Sequence, residues 1–298
     1  MLKNALFALL LLCSSASWSA VSFGSAHALV VDEDSGEVLL EKDAATAAPI
    51  ASMTKLMTAM VVLDAQLAPD ETITIDKADL DSLKHTRSGV PVGASFARRT
   101  LIELALMSSD NHAAAALART YPGGDAAFIA ATQHKIDALK LENTGLVEPT
   151  GLSPSNHASA HDMVKIVKAA SGYPEIVAAT SRSSDVINVN GRPRLFHNTN
   201  RLVGSPGWDI SVSKTGFTNE AGRCLTMSLQ TAGRKILVVL MGAVAGSERL
   251  LDAHNIQRWL GGKEPVLATA GADTRPAALH RVGYTRRVHA TFASRRHS

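Results

Sequence analysis

The sequence predicts an α/β protein of the α+β kind: a central antiparallel sheet of about five strands flanked by helices, with a mainly helical block in mid-chain. Three observations predict it. Apolar runs of strand length lie towards both ends of the chain and not in its centre. Helix-start signals and apolar periodicity fill the centre. Strands that are neighbours in sequence are joined by short turns, which calls for antiparallel pairing. The simplest arrangement is one sheet made from both ends, with terminal helices on one face and the central helical block on the other.

Residues 1–19 read as an export signal. Lys3 gives a positive start, residues 5–12 form a short apolar core, and small residues follow from Ser14. The core is too short to span a bilayer. Cleavage after Ser19 places Ser17 and Ser19 at the two small positions, whereas cleavage after Ala20 would place bulky Trp18 there. No small residue precedes Cys13 as a lipidation site requires, so Cys13 falls in the discarded signal. A periplasmic location is expected, with peripheral membrane association as an option. No further run of 18 or more apolar residues occurs.

The next strand covers 27–32, and Asp34-Ser35-Gly36 turns it into a returning strand over 37–41. A helix over 52–63, with Pro49 suited to its start, is apolar all round and therefore buried. Pro69-Asp70-Glu71 breaks it, and 72–93 is polar and irregular with short strand-like pieces. Thr100 and Glu103 read as a capping box for a helix to 107. The segment 108–111 interrupts, and an alanine-rich helix runs to 119. A Tyr121-Pro122-Gly123-Gly124 turn leads to a helix over 125–139.

Residues 148–152 form a loop, and Ser159 with Asp162 reads as a second capping box for a helix to 171. Strands 186–189 and 192–195 flank Asn190-Gly191, a strong hairpin signal, and Pro193 makes that hairpin peripheral. A strand over 208–213 leads into Lys214-Thr215-Gly216. Strands 224–229 and 235–241 turn at 231–233, and a last helix over 247–260 ends at Gly261-Gly262.

The apolar content of 46% supports one sizeable core, assigned to a catalytic domain over 20–262. The net charge of +3 is uneven. Six arginines (275, 281, 286, 287, 295, 296) and no acidic residue follow position 274, so the rest of the chain carries −3. Residues 263–298 are expected to be a flexible basic tail, either touching an anionic envelope surface weakly or merely solubilising. After signal removal Cys224 is the only cysteine and has no partner for an internal disulfide.

Ser52 and Lys55 carry the chemistry. Lysine is almost never fully buried unless something pairs with it or uses it. Positions i and i+3 share a helix face, so the amine reaches the hydroxyl. Serine is a weak nucleophile, and a neutral neighbouring amine can take its proton. Ser109-Asp110-Asn111 lies in a break between helices, where side chains can point into a cleft. Lys214-Thr215-Gly216 lies on a strand, where the glycine permits close approach of a substrate.

Each motif is weak alone; Ser-x-x-Lys, Ser-Asp-Asn and Lys-Thr-Gly in that order are strong together. With Val147-Glu148-Pro149-Thr150-Gly151-Leu152-Ser153 and Asn198-Thr199-Asn200, they make the chain resemble the serine D-Ala-D-Ala peptidase family, the low-molecular-mass penicillin-binding proteins, over most of residues 25–260.

The resemblance implies a β-lactamase/transpeptidase-like fold and an acyl-enzyme on Ser52 with Lys55 as base and no cofactor. It implies that Ser109 bridges the lysines and relays a proton to the leaving amine. Asn111 would bond the substrate amide, Lys214 and Thr215 would hold a carboxylate or backbone edge, and the N–H groups of Ser52 and Phe217, beside Gly216, would form the oxyanion hole. A cationic Lys214 is expected to help keep Lys55 neutral. Expected partners are peptidoglycan stem peptides and cross-links, with β-lactams as covalent inhibitors and no nucleic acid.

Within the family, the stretch 264–298, too short for the C-terminal β-rich domain of many related carboxypeptidases, and Phe217, where several of them carry a histidine, are expected to favour endopeptidase over carboxypeptidase action. A β-lactamase needs a deacylating glutamate with an asparagine four residues on, and Glu148 is followed there by Leu152. A zinc peptidase is disfavoured because no His-Glu-x-x-His occurs and a helix cap separates His157 from His161. No metal is expected. A silent wall-binding protein is disfavoured because all the catalytic residue types are present. Arg249 falls where related carboxypeptidases place an arginine near the substrate carboxylate, but is expected on the solvent side of the last helix, and Asn198 and Asn200 serve either the cleft or a turn.

Overall fold

The chain begins its sheet with strands β1 (His27–Asp32) and β2 (Val38–Lys42) and finishes it with β9 (Asp209–Thr218), β10 (Gly222–Thr231) and β11 (Arg234–Ala243). Between them lie β3 (Ala48–Pro49), α1 (Lys55–Asp64), β4 (Thr72–Thr74), β5 (Ser95–Ala97), α2 (Arg98–Met107), α3 (Asn111–Arg119), α4 (Gly124–Ala138), β6 (His157–Ala158), α5 (Ala160–Ala170), α6 (Pro174–Ser181), β7 (Ser184–Val189) and β8 (Arg192–His197). Helix α7 (Gly246–Leu260) closes the fold. This computed structural model describes Val21 and residues 23–264; the predicted signal over 1–19 and the basic tail beyond Glu264 lie outside the described residues.

The five-stranded antiparallel sheet has the order β2-β1-β11-β10-β9, so β9 is an outer strand. Alternate residues of each strand feed two cores. Leu29, Val31, Leu237, Val239 and Met241 join the core that contains α1–α6. Ala28, Val30, Leu225, Met227, Val238 and Leu240 pack against Ala253 and Ile256 of α7. Both faces are therefore covered, which explains why the inner strands read as continuous apolar runs. Asp252 of α7 fastens the first described segment, accepting from the N–H groups of Gly24 at 2.9 Å and Ser25 at 2.8 Å and from the Ser25 hydroxyl at 2.7 Å.

The predicted architecture is present, with four local differences. Pro49 does not start the buried helix; it sits in β3, paired with His157 of β6, and the helix begins through a 3-10 turn over Ala51–Thr54. The Thr100–Glu103 capping box does not form, because α2 starts earlier, at Arg98, as β5 ends. Ser159 caps α5 through the Asp162 N–H, but the Asp162 carboxylate turns away to the Asn143 N–H and Thr144 hydroxyl. Helix α6 was not predicted, although Pro174 at its first turn and Glu175 beside it are start signals. The Asn190-Gly191 hairpin stands apart as a two-stranded sheet, with both turn residues at positive φ.

Candidate active site

Ser52 lies in the 3-10 turn that launches α1. Its neighbour Ala51 has φ +47°, a left-handed backbone that a side-chain-bearing residue rarely adopts. Two glycines grip this turn. A Cβ on Gly216 of β9 would stand 2.8 Å from the Ile50 carbonyl oxygen and 3.3 Å from the Ser52 nitrogen. A Cβ on Gly151 would stand 1.9 Å from the Ala51 carbonyl oxygen, and Gly151 itself has φ +83°. Strained backbone held by its surroundings is a recurrent property of functional sites.

Lys55 is fully buried at the first turn of α1. Its Nζ is 2.9 Å from Ser52 Oγ, 2.6 Å from Asn111 Oδ1 and 2.6 Å from the Thr150 carbonyl oxygen. A neutral amine has two N–H bonds and one lone pair. The Asn111 and Thr150 oxygens can only accept, so they take both N–H bonds and leave the lone pair facing the Ser52 hydroxyl. Burial brings the Lys55 pKa down from 10.5 to about 8, against the opposing pull of Glu148, Asp110 and Asp81. An amine of this kind can accept the Ser52 proton near neutral pH.

The break between α2 and α3 supplies the next group. Asp110 caps α3 by accepting from the Ala113 N–H at 3.1 Å, and Ser109 has φ +60°. Ser109 Oγ accepts from Lys214 Nζ at 2.8 Å, and Lys214 also donates to the Thr215 carbonyl at 3.1 Å. Among the described residues no hydrogen bond joins Ser109 to Lys55, so Ser109 sits on one lysine rather than bridging two. Two neighbouring ammonium groups repel, which disfavours the proton on both. Lys214 is held well below its ordinary pKa, first by burial and then by Lys55, whereas the forces on Lys55 are burial and three acids.

Thr215 donates to Thr199 Oγ1 at 2.7 Å. Phe217 is half exposed, with the Arg223 guanidinium 4.2 Å from its ring centroid. Because β9 is an outer strand, one side of its backbone has no partner strand in the sheet, and an extended peptide can pair there.

Other candidates have structural duties. The Glu148 carboxylate accepts from the Thr150 N–H (2.7 Å), the Thr150 hydroxyl (2.5 Å), the Gly151 N–H (2.7 Å) and the Ser153 N–H (3.2 Å). It thus shapes the loop that presents the Thr150 carbonyl to Lys55. His157 faces the Ser155 carbonyl and His161 faces Glu41. Among the described residues no group of three or more His, Cys, Asp or Glu is placed to hold a metal. Asn198 and Asn200 serve turns: Asn198 Oδ1 accepts from the Asn200 N–H, and Asn200 Oδ1 accepts from the Leu202 N–H. Arg249 is not on the solvent side; its Nη1 donates to the Cys224 carbonyl at 2.9 Å, and burial lowers its pKa. Thr86, Asp81, Thr150 and Gly151 had no predicted role. Gly151 and Thr150 belong to one of the resembling stretches, which was the only signal for them.

A serine whose proton faces a buried lysine, set at the edge of such a sheet, defines a class: serine acyl-transfer enzymes that use lysine where others use histidine. The particular family follows from comparison. The family described as D-alanyl-D-alanine carboxypeptidase, Peptidase S11, matches residues 14–245. The chain is 41% identical over 239 residues to the D-alanyl-D-alanine endopeptidase of Pseudomonas aeruginosa, covering 79% of this chain and 77% of that one. It is 39% identical over 261 residues to the D-alanyl-D-alanine endopeptidase of Escherichia coli, covering 86% and 84%. Penicillin-binding protein D2 of Listeria monocytogenes, solved with cefotaxime bound, superposes with a TM-score of 0.70 at 26% identity, covering 80% of this chain and 98% of that one. The chain belongs to the Peptidase S11 family and is a serine DD-peptidase.

Proposed function

We propose that the enzyme is a D-alanyl-D-alanine endopeptidase that opens peptide cross-links of peptidoglycan through an acyl-enzyme on Ser52. One observation carries the site assignment: the Lys55 amine lies 2.9 Å from Ser52 Oγ with both N–H bonds taken by acceptor-only oxygens. Lys55 takes the hydroxyl proton as Ser52 attacks the D-Ala carbonyl. The N–H groups of Ser52 and Phe217 receive the oxyanion; losing one such donor typically costs about 100- to 1,000-fold in rate. Lys55 then gives that proton back to the leaving amine, with the Ser109 hydroxyl, which Lys214 holds at 2.8 Å, as the relay, and water hydrolyses the acyl-enzyme. Asn111, Thr215 and the β9 edge hold the peptide, with Gly216 keeping that edge against the nucleophile turn. β-Lactams acylate Ser52 and block the enzyme. The reaction takes place in the periplasm after signal removal.

Endopeptidase action is supported by the names of the two relatives at 39% and 41% identity. The test is mass spectrometry of the products from purified cross-linked muropeptides. Cleavage of dimers to monomers is expected. Release of terminal D-Ala with dimers left intact would make the enzyme a carboxypeptidase.

A further inference from the structure

We propose that Asp81 and Thr86 are positioning residues that set the direction of a hydrogen-bond chain ending at Ser52, and so decide that the Lys55 lone pair faces the nucleophile. The inference rests on the assignment of Ser52 as nucleophile and Lys55 as base.

The chain can be followed atom by atom. The Asp81 carboxylate accepts from the Thr86 hydroxyl at 2.8 Å. Thr86 Oγ1 accepts from Asn111 Nδ2 at 2.7 Å. Asn111 Oδ1 accepts from Lys55 Nζ at 2.6 Å, and Lys55 Nζ meets Ser52 Oγ at 2.9 Å. Its polarity is set from the carboxylate end. Backbone N–H groups of Leu83, Lys84 and Thr86 also converge on Asp81; burial raises its pKa, and these bonds together outweigh that and lower it. An ionised carboxylate has no proton to give, so the Thr86 hydroxyl must spend its only proton on Asp81. Thr86 Oγ1 can then only accept from Asn111, which forces the amide nitrogen towards Thr86 and the amide oxygen towards Lys55. Without that constraint the amide could turn its NH2 to Lys55 and draw the lone pair away from Ser52.

The loop that carries Asp81 and Thr86 is itself anchored. Ser88 Oγ and the Gly89 N–H both donate to Asp110 Oδ2, the Gly89 carbonyl accepts from Arg194, and the Val90 carbonyl meets His112 Nδ1 at 2.7 Å. Lys84 forms an ion pair with Glu220, in the turn after β9. The Thr86 hydroxyl is therefore presented from a held frame. The charged groups around Lys55 are Glu148, Asp110, Asp81 and Lys214. A purely electrostatic role for Asp81 would move the pH at which Lys55 loses its proton and leave the high-pH rate alone. A positioning role lowers the rate even where every Lys55 amine is neutral.

The test measures acylation by a fluorescent penicillin against pH in the full chain, with melting temperatures beside it. Thr86→Val keeps the Thr86 N–H bond to Asp81 and removes the hydroxyl. It is expected to slow acylation roughly 10- to 100-fold on the high-pH plateau, within the range that misplacement of reacting groups produces. Thr86→Ser is expected to recover most of that rate. Asp81→Asn should match Thr86→Val, and the double variant should be no slower than either, since both break one chain. An unchanged plateau rate in Thr86→Val, or a loss just as large in Thr86→Ser, overturns the proposal. Ser52→Ala separates the two levels: penicillin labelling that persists there overturns the site assignment itself, and labelling that vanishes leaves Thr86 to be judged alone.

Discussion

Gly151→Ala should cripple the enzyme without touching any group that does chemistry. The added Cβ would lie 1.9 Å from the Ala51 carbonyl oxygen and 2.9 Å from the Ser52 nitrogen, where real contacts are essentially never closer than 3.0 Å. The loop and the nucleophile turn must therefore part by about 1 Å, a misplacement that typically costs ~100-fold in rate. The same movement pulls the Thr150 carbonyl from Lys55, now at 2.6 Å, and frees the amine to rotate. Overpacking adds about 1–3 kcal/mol of destabilisation, and a left-handed alanine at φ +83° adds roughly 1–2 kcal/mol. At ~2–4 °C per kcal/mol for a domain of this size, the melting temperature should fall by roughly 4–20 °C. Stopped-flow acylation by a fluorescent penicillin, read well below the melting temperature, separates the two effects. A wild-type acylation rate in the folded variant would refute the view that Gly151 sets the nucleophile turn.

Acylation should rise with pH and level off with a midpoint near 8, because Lys55 must be neutral and its pKa is about 8; a rate that falls over pH 6–9 would contradict this assignment. The same shift has a stability consequence. Lys55 binds its proton more weakly folded than unfolded, so its contribution to stability should improve as pH rises from about 8 to 10.5, measurable by denaturant melts across that window. Asp252→Ala removes the acceptor of three donors at the start of the fold and should cost about 3 kcal/mol, with acylation per folded molecule unchanged. Ala232 sits at φ +50° in the β10–β11 turn, so Ala232→Asn should stabilise by roughly 0.5–1 kcal/mol in a thermal melt. The Cys224 thiol is buried and its pKa is pushed up to about 11, so iodoacetamide should label it only when the protein is unfolded.

The sheet and most helices were legible because each rests on local chemistry. Asn190-Gly191 dictates its hairpin, Asp34-Ser35-Gly36 its turn, and the apolar run after Ser52 its buried helix. The error at Pro49 arose because a two-residue strand is made by its partner, His157, which lies far along the chain. The Ser52–Lys55 contact was legible because i and i+3 share a helix face. The partners that orient it were not. Thr86 meets Asn111 through an irregular loop folded round Asp81, and the Thr150 carbonyl is backbone, which no residue type marks. The burial of both lysines and the three acids around Lys55 also needed coordinates, because no local pattern in the sequence brings them together. Arg249 was misjudged because helix periodicity does not reveal that its guanidinium reaches over β10.

The placement of β1 governs when the enzyme can come into being. It lies between β2 and β11, with His27 opposite Met241, so an early strand waits for one of the last. A growing chain reaches Ser52 and Lys55 long before Lys214, but a two-stranded hairpin is marginal alone and the sheet has no interior until β11 joins it. Contacts of this range make folding slow and cooperative, since the loop must close before pairing rewards it. A chain truncated ahead of β11 thus lacks the strand that joins β1 to β10. Topology thus ties the arming of the reactive serine to the closing of the sheet by β11.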